Sequence, residues 1–452
     1  MSKIYFHGGA GSVTGANFLL EVGNEKILID CGLIQEDRFS VTSNCDVFAY
    51  DPSTVGTLLV THAHADHIGR IPKLVHDGFN GTIYSTLPTR DLAEVMLHDA
   101  YKVMIYEEEK FGTTRCFEET DIAAALRLWK TCGYGETVGL PGDVEALFTD
   151  AGHILGSAMI SLSRNGKKIV FTGDIGNIPQ PLLNPPHVPE GYDYMVMESV
   201  YGDRSHEDVN ERTNLLKRYI EETIRKQGTL IIPAFSLERT QGMLLEINNL
   251  FESGALSPIP VFLDSPLAIR VTEVYRKYTE YLKEEVQEQI RSGDDIFDFP
   301  KLSFTQSVKD SNEIENVRGA KIIIAGSGMS HGGRILGHEK KYLEDPKTTL
   351  LLVGYQSVGS IGRILGDGAK RVRILDTEVR VRAKVAQIRG YSGHADRDQL
   401  VEFVSKGCSK VKQVFVTMGE ERSALFLVQR LRDYLGVNAV APHKDEQVEI
   451  DF

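Results

Sequence analysis

The sequence predicts an α/β protein built in two units, and three observations carry that expectation. Residues 1–60 alternate short apolar runs (4–6, 18–22, 26–30 and 55–60) with Gly-rich turns, which reads as a meander of strands. Between 206 and 380, helical spacing (Leu215, Leu216, Tyr219, Ile220, Ile224) alternates with the short buried runs 229–232, 259–263, 320–325 and 349–353. That alternation favours a largely parallel sheet with helices on both faces. The chain, at 452 residues, is also too long for one ordinary hydrophobic core.

Between these stretches, residues 91–130 take helical spacing, with Leu92, Val95 and Met96 and then Ile122, Ala125, Leu126 and Trp129 on one face, before 133–142 breaks it. Apolar residues make up 42% and charged residues 25%, an ordinary globular balance. The net charge of -13 argues against a generally basic nucleic-acid binder, although a local basic groove remains compatible with it. Five scattered cysteines (Cys31, Cys45, Cys116, Cys132, Cys408) contain no CxxC pair, so neither a disulfide framework nor a thiolate zinc site is expected, and a reducing cytoplasm fits. The N-terminus carries no apolar segment of signal-peptide length, and no run approaches the ~18 apolar residues of a membrane span.

The chemistry concentrates in Thr61-His62-Ala63-His64-Ala65-Asp66-His67-Ile68-Gly69, directly after the apolar run 55–60. Small residues separate three imidazoles and a carboxylate, a ligand set suited to a borderline-soft divalent ion such as zinc. Asp30 ends one apolar run and Asp174 another, while His153 stands among glycines. Singly these read as turn aspartates or a structural histidine. As a series they are strand-end residues, which is where distant segments assemble a site.

The order Asp30, His62-x-His64-x-Asp66-His67, His153, Asp174 resembles the metal-binding motifs of the metallo-β-lactamase superfamily. The resemblance implies an αββα sandwich with one or two metals between the loops of its sheets. Segments 196–206 (with Glu198), 233–241, 264–268, 326–329, 332–334 and 390–396 (with His394) resemble the β-CASP subfamily of nucleic-acid nucleases, which includes ribonuclease J. The expected organisation is then 1–205 as the first part of the sandwich, 206–380 as an inserted α/β β-CASP domain, and 381–452 as the return.

The resemblance implies two Zn2+ sites. His62, His64 and His153 would hold the first ion, Asp66 and His67 the second, with Asp174 bridging. Asp66 would also orient and deprotonate water, and Asp30 would fix a ligand imidazole from behind. Glu198 would pair with His394, which would face the scissile phosphate as oxyanion stabiliser or proton donor. The chain departs from the subfamily at Met418, where a metal-ligating histidine is expected. A thioether is a poor zinc ligand, so the second site is expected to be weakened, completed by water, or served by another side chain such as His331 or His443.

The expected function is a ribonuclease, endonucleolytic or acting from the 5′ end, on single-stranded RNA in an interdomain cleft. A homodimer is among the partners the sequence allows, and a membrane is not. Backbone phosphates would meet Arg204, Arg239, Arg334 and Arg363, and the backbone N–H groups around Ser327 and Gly328. The run Lys370, Arg371, Arg373, Arg380, Arg382, Lys384 is a local basic concentration with a solvated face as its plain alternative. Two other functions fit the same residues: a hydrolase of small thioesters or lactams, and an RNA-binding subunit weakened in catalysis by Met418.

Overall fold

The computed structural model describes residues 2–35, 43–206, 209–354, 356–357 and 359–452. They divide into two compact units, one holding the chain up to Ile178, Asn184–Ser205 and His394–Phe452, the other Pro179–Leu183 and His206–Gly393.

The first unit contains two seven-stranded sheets. In spatial order, one runs Glu446–Ile450, Ser2–Gly8, Asn17–Val22, Glu25–Ile29, Thr57–Leu59, Thr82–Thr86 and Trp129–Cys132. The other runs Ala439–Val440, Gln413–Val416, Tyr194–Met197, Lys167–Phe171, Ala158–Arg164, Val144–Asp150 and Thr137–Leu140. Alternate residues of each strand bury against the facing sheet. Ile4, Phe6, Phe18, Leu20, Ile27 and Ile29 thus meet Phe148, Ile160, Leu162, Phe171, Val196 and Phe415 in one core. The other faces are covered by helices. Arg397–Gly407 and Glu421–Leu435 bury Leu400, Phe403, Leu427 and Leu431 on Met195, Met197, Val414 and Val416. Leu87–Phe111 and Glu119–Leu128 lie against the strand Thr82–Thr86. Helix, sheet, sheet, helix is the αββα layering.

Trp129 departs from the expected helical face. It opens the strand Trp129–Cys132, because its indole donates to Ser85 Oγ at 2.8 Å and the backbone pairs in parallel with Thr82–Thr86. The expectation of no disulfide is also corrected: Cys45 and Cys116 are bonded, with Cα atoms 4.8 Å apart. They are 71 residues apart in sequence, so no local spacing signals the pair.

The second unit is built on a six-stranded sheet in the order Leu302–Phe304, Val261–Asp264, Lys321–Ala325, Thr229–Pro233, Thr349–Val353 and Lys384–Ile388, parallel at every ladder. The four inner strands are largely buried on both faces, which is why they read as continuous apolar runs. The last strand pairs with Thr349–Val353, so the unit extends to Gly393 rather than the expected 380. The basic run falls largely on the hairpin Arg371–Ile374 and Thr377–Arg380, where Arg371 pairs with Glu378 at 3.0 Å, while Lys384 pairs with Glu222 at 2.6 Å. Among the described residues, no helix is long and apolar enough to cross a membrane.

Candidate metal centre

Each candidate ligand leaves the end of a strand in the first unit. Beyond Glu25–Ile29 the backbone turns at Asp30, which takes a left-handed φ of 59°. Its carboxylate accepts from Thr61 N at 2.8 Å, from Thr61 Oγ1 at 2.8 Å and from His67 Nδ1 at 2.7 Å. Beyond Thr57–Leu59 the chain passes through Thr61 and His62 to His64, which precedes the short helix Ala65–Ile68. That helix approaches Gly32 so closely that a Cβ there would fall 1.5 Å from Asp66 O. His153 is held in the turn after Val144–Asp150, where its N–H donates to Ser157 Oγ at 3.0 Å. Asp174 follows Lys167–Phe171, Glu198 follows Tyr194–Met197, and His394 bridges to Gly176 ahead of Arg397–Gly407.

These ends converge. His62 Nε2 lies 3.1 Å from His64 Nδ1 and 3.3 Å from Asp174 Oδ2; His153 Nε2 lies 3.2 Å from His64 Nδ1 and 3.4 Å from Asp174 Oδ2. Four ligand atoms about a zinc ion, at bonds of roughly 2.0–2.1 Å, form a tetrahedron with edges of about 3.3–3.4 Å. The four atoms therefore enclose a space of the right size for such an ion. His62 Nδ1 lies 3.0 Å from Thr61 Oγ1, a contact that leaves Nε2 free to ligate.

A second group shares Asp174. His67 Nε2 is 3.4 Å from Asp174 Oδ1 and 3.9 Å from Asp66 Oδ2. His67 Nε2 and Asp174 Oδ1 are both buried without a hydrogen-bond partner, a costly arrangement unless a ligand completes it. Met418 stands here. It is buried in the core between the sheets and, with Phe18, Phe171, His67 and Glu198, lines a cavity of ≈ 10 Å³. Its N–H donates to Gly9 O at 2.6 Å, and its sulfur would lie only 2.4 Å from a Cβ on Gly9, so that glycine makes room for the thioether. Among the described residues the groups of converging ligand atoms are His62, His64, His153 and Asp174, and Asp174, Glu198 and His394; His331 and His443 belong to neither.

Beside the ligands, His394 Nδ1 lies 3.3 Å from Glu198 Oε1 and 3.8 Å from Asp174 Oδ2. Glu198 is fixed in turn by Ile175 N, which donates to Oε1 at 2.6 Å. Burial pushes His62, His64 and His153 below the usual imidazole range, so they are neutral and have a lone pair to offer. Burial acts the same way on His67, but the carboxylates of Asp174 and Asp30 overcome it and hold the ring well above that range. Burial would raise Asp174, yet His67 and His62 draw it well below the carboxylate range. Asp66 and Glu198 are raised by burial. His394 is lowered by burial and raised more strongly by Glu198 and Asp174, to about 9.

The expected phosphate contacts fare unevenly. Arg204, in the first unit, pairs with Asp203 at 2.7 Å and lies 5.6 Å over the Tyr201 ring. In the second unit, Arg239 donates to Val353 O and lies 5.8 Å over Phe235, and exposed Arg363 pairs with Asp367 at 2.9 Å. Arg334 is corrected: its guanidinium is committed to Asp264 at 2.7 Å, Thr305 O at 2.8 Å and Gln306 O at 2.8 Å. The turn after Lys321–Ala325 likewise closes on itself. Ser327 Oγ accepts from His331 N at 3.0 Å and Gly332 N at 3.4 Å, Ser327 N donates to Gly332 O at 3.1 Å, and Gly328 O accepts from Gln356 at 3.0 Å. The Ser327 N–H is therefore spent on the turn. Sequence reasoning assigned no role to Thr61, which links Asp30 to His62, or to Ser157, which caps the His153 turn. Adjacency to a ligand was the signal for the first, and a hydroxyl four residues on for the second.

Three family models match the chain: the metallo-β-lactamase superfamily domain over 19–189, the Beta-Casp domain over 240–365, and the Zn-dependent metallo-hydrolase RNA specificity domain over 378–442. A ribonuclease of Thermus thermophilus is 37% identical over 94% of this chain and 95% of its own. An RNase J-like protein of Methanocaldococcus jannaschii is 31% identical over 98% of each. The transcription termination factor FttA of Methanothermobacter thermautotrophicus is 30% identical over 98% of this chain and 71% of its own. A crystal structure of a protein of unknown function from Enterococcus faecalis has a TM-score of 0.59 at 13% identity, covering 99% of each chain, a likeness of fold alone.

Proposed function

Because the chain belongs to the β-CASP branch of the metallo-β-lactamase superfamily, and is thereby a metal-dependent hydrolase, we propose that it is a zinc-dependent ribonuclease cutting phosphodiester bonds of single-stranded RNA. The observation that carries this reading is the placement of the Glu198–His394 pair 3.8 Å from Asp174 Oδ2, itself one corner of the four-atom ligand group. The group offers a place for a metal-activated water, and the pair offers a positioned proton donor beside it. Cleaving a phosphodiester calls for both, since a nucleophile must form and an alkoxide must leave. The names of the relatives and the RNA specificity model favour RNA over a thioester or lactam.

His62, His64, His153 and Asp174 would hold the tighter zinc. His67 and Asp66, with Asp174 shared, would hold a weaker one, since Met418 brings a soft, neutral sulfur where a further nitrogen would serve. Zinc, when bound, supplies Lewis acidity, bringing the pKa of water near neutrality and offsetting charge at the phosphoryl group. Asp66, half-buried at the start of its helix, orients the attacking water and accepts its proton. Asp30 holds His67 by Nδ1 so that Nε2 faces the metals. Glu198 holds His394 by Nδ1, leaving Nε2 to give a proton to the departing oxygen. Arg204, in the same unit as these groups, remains as a phosphate contact.

The test is cleavage of single-stranded RNA labelled at either end by the zinc-loaded chain, beside Asp66→Ala and His394→Ala variants. Each substitution should cost about 10²-fold or more in rate. The two labels separate internal cutting from attack at the 5′ end. Cleavage that persists in both variants would overturn the assignment.

A further inference from the structure

One surface outside the ligand group alternates aromatic rings with guanidinium groups, and it begins at the reacting centre. The Tyr201 ring lies 6.2 Å from that of His394, with the Arg204 guanidinium 5.6 Å above Tyr201. The backbone O of Arg204 accepts from Arg397 N at 3.0 Å, which sets Arg397 beside it at the start of its helix. Arg397 and its partner Asp398 are close enough to Tyr434 and Arg430 to interact with them electrostatically. From there the surface follows the helix Glu421–Leu435, in which Arg422, Phe426, Arg430 and Tyr434 recur every fourth residue and so share one face. Tyr434 is 67% exposed and Phe426 37%, and the Arg430 guanidinium sits between them, 5.0 Å and 5.4 Å from the two ring centroids. The helix is fastened to the catalytic loop: Ser423 Oγ donates to Ser199 O at 2.6 Å, and Gly202 packs against Ser423 and Leu427.

We propose that Tyr201, Arg204, Arg397, Tyr434, Arg430 and Phe426 form a binding track for single-stranded RNA that leads away from the catalytic centre along the outer face of the 421–435 helix.

The packing of the fold does not require these groups. The same helix already buries Ser423, Ala424, Leu427, Val428 and Leu431 inward, so exposed rings on its other side add nothing to the core. Exposed rings offer faces on which a nucleobase of any identity can stack. Charge selects the occupant. Among the described residues, neither Arg422 nor Arg430 has a carboxylate within ion-pair distance, in a chain whose net charge is -13. Asp433, exposed on the same helix, pairs with neither. Two guanidiniums without a direct ion pair, interleaved with two rings, match a strand that carries one phosphate per base. A second copy of this chain would bring like charges to the same interface. The inference takes RNA as the ligand from the ribonuclease reading, but it concerns binding and is tested without cleavage.

The measurement is fluorescence anisotropy of a labelled oligo(A) of about 20 nucleotides with the full chain carrying His394→Ala, which silences hydrolysis and leaves the 421–435 helix intact. Phe426→Ala with Tyr434→Ala should weaken binding about tenfold or more, the scale of losing base–aromatic stacking. Arg422→Gln with Arg430→Gln should flatten the slope of log affinity against log salt by about 1.4. None of the four side chains is buried in the core, so thermal unfolding should change little. Size-exclusion chromatography with light scattering follows the oligomeric state of the same samples. Unchanged RNA affinity in the aromatic variant overturns the track. So does an equal loss on a duplex of the same length, or a loss of self-association with RNA affinity retained, which would make the face a contact between copies. Failure of the parent chain to bind RNA overturns it too. Tight binding by a chain that never cleaves RNA would instead overturn the ribonuclease reading and leave the track standing.

Discussion

Replacing Met418 by histidine should convert a weakly held second zinc into a resident one. The position is already prepared: His67 Nε2 and Asp174 Oδ1 are buried, without a hydrogen-bond partner and 3.4 Å apart, and His67 borders the space that Met418 lines. The backbone there has φ 44°, a left-handed conformation in which histidine is enriched among non-glycine residues, so the exchange adds little strain. Even residues that only support a ligand change metal affinity by about 10–100-fold, so a direct imidazole should raise the second affinity by at least that much. There is an opposing cost. Met418 is 2% exposed in the core between the sheets, and giving up part of its apolar contact should destabilise the zinc-free variant by about 1–3 kcal/mol. Zinc at about 100 times its dissociation constant would return about 2.7 kcal/mol. The variant should therefore melt below the parent without zinc and regain the difference with it. Equilibrium dialysis followed by elemental analysis gives the stoichiometry, expected to rise from near one to near two per chain. Two ions already resident in the parent, or one in both proteins, would refute the reasoning.

Three further outcomes follow from other parts of the chain. Asp30→Ala strips the acceptor from Thr61 N, Thr61 Oγ1 and His67 Nδ1, and should cost about 3–5 kcal/mol in denaturant unfolding; a loss below 1 kcal/mol would mean that water replaces the carboxylate. Glu339 is buried, and burial raises its carboxyl to about 7 despite the Ser330 hydroxyl, which donates to it. Its folded pKa lies above its unfolded value near 4.3, so its contribution is fully present below that value and lost as pH rises through about 7. Glu339→Gln, which keeps the acceptor and cannot ionise, should flatten the fall in stability between about pH 4.5 and 7, by up to about 3 kcal/mol; parallel pH profiles for both proteins would contradict this. Finally, the Cys45–Cys116 bond closes a loop 71 residues long, and reducing it, or making Cys116→Ser, should lower stability by up to about 4 kcal/mol. Unchanged melting under reduction would show that the loop is held by its other contacts.

What the sequence revealed follows from how the information is distributed along it. His62, His64, Asp66 and His67 fall within one short segment, and strand-end residues such as Asp30 and Asp174 announce themselves by the apolar run before each. The parallel strands of the second unit were legible for a similar reason, since burial on both faces leaves an unbroken apolar run. Properties set by tertiary partners were hidden. Trp129 continues a helical period and yet enters a strand, because Ser85 and a parallel neighbour claim it. Arg334 has the composition of a phosphate ligand, but its guanidinium makes three hydrogen bonds, to Asp264 and two carbonyl groups, that nothing in the local sequence reveals. Cys45 and Cys116 carry no spacing signal, and the close approach of two distant loops alone pairs them.

The same distribution bears on how the centre can change. Three of the four atoms of the tighter group come from Asp174 and the 62–64 segment, and His153 is added by a self-contained turn capped by Ser157. None of these depends on position 418. The weaker group, by contrast, looks to the end of the strand Gln413–Val416, more than two hundred residues from Asp174 in sequence. A substitution there alters the second ion while leaving the first group and the Glu198–His394 pair in place. Metal stoichiometry is thus separable from the rest of the centre, and Met418→His should change zinc content and rate without shifting the affinity of the first ion. A first-ion affinity that moved with it would show that the two groups, which share Asp174, are coupled through that carboxylate.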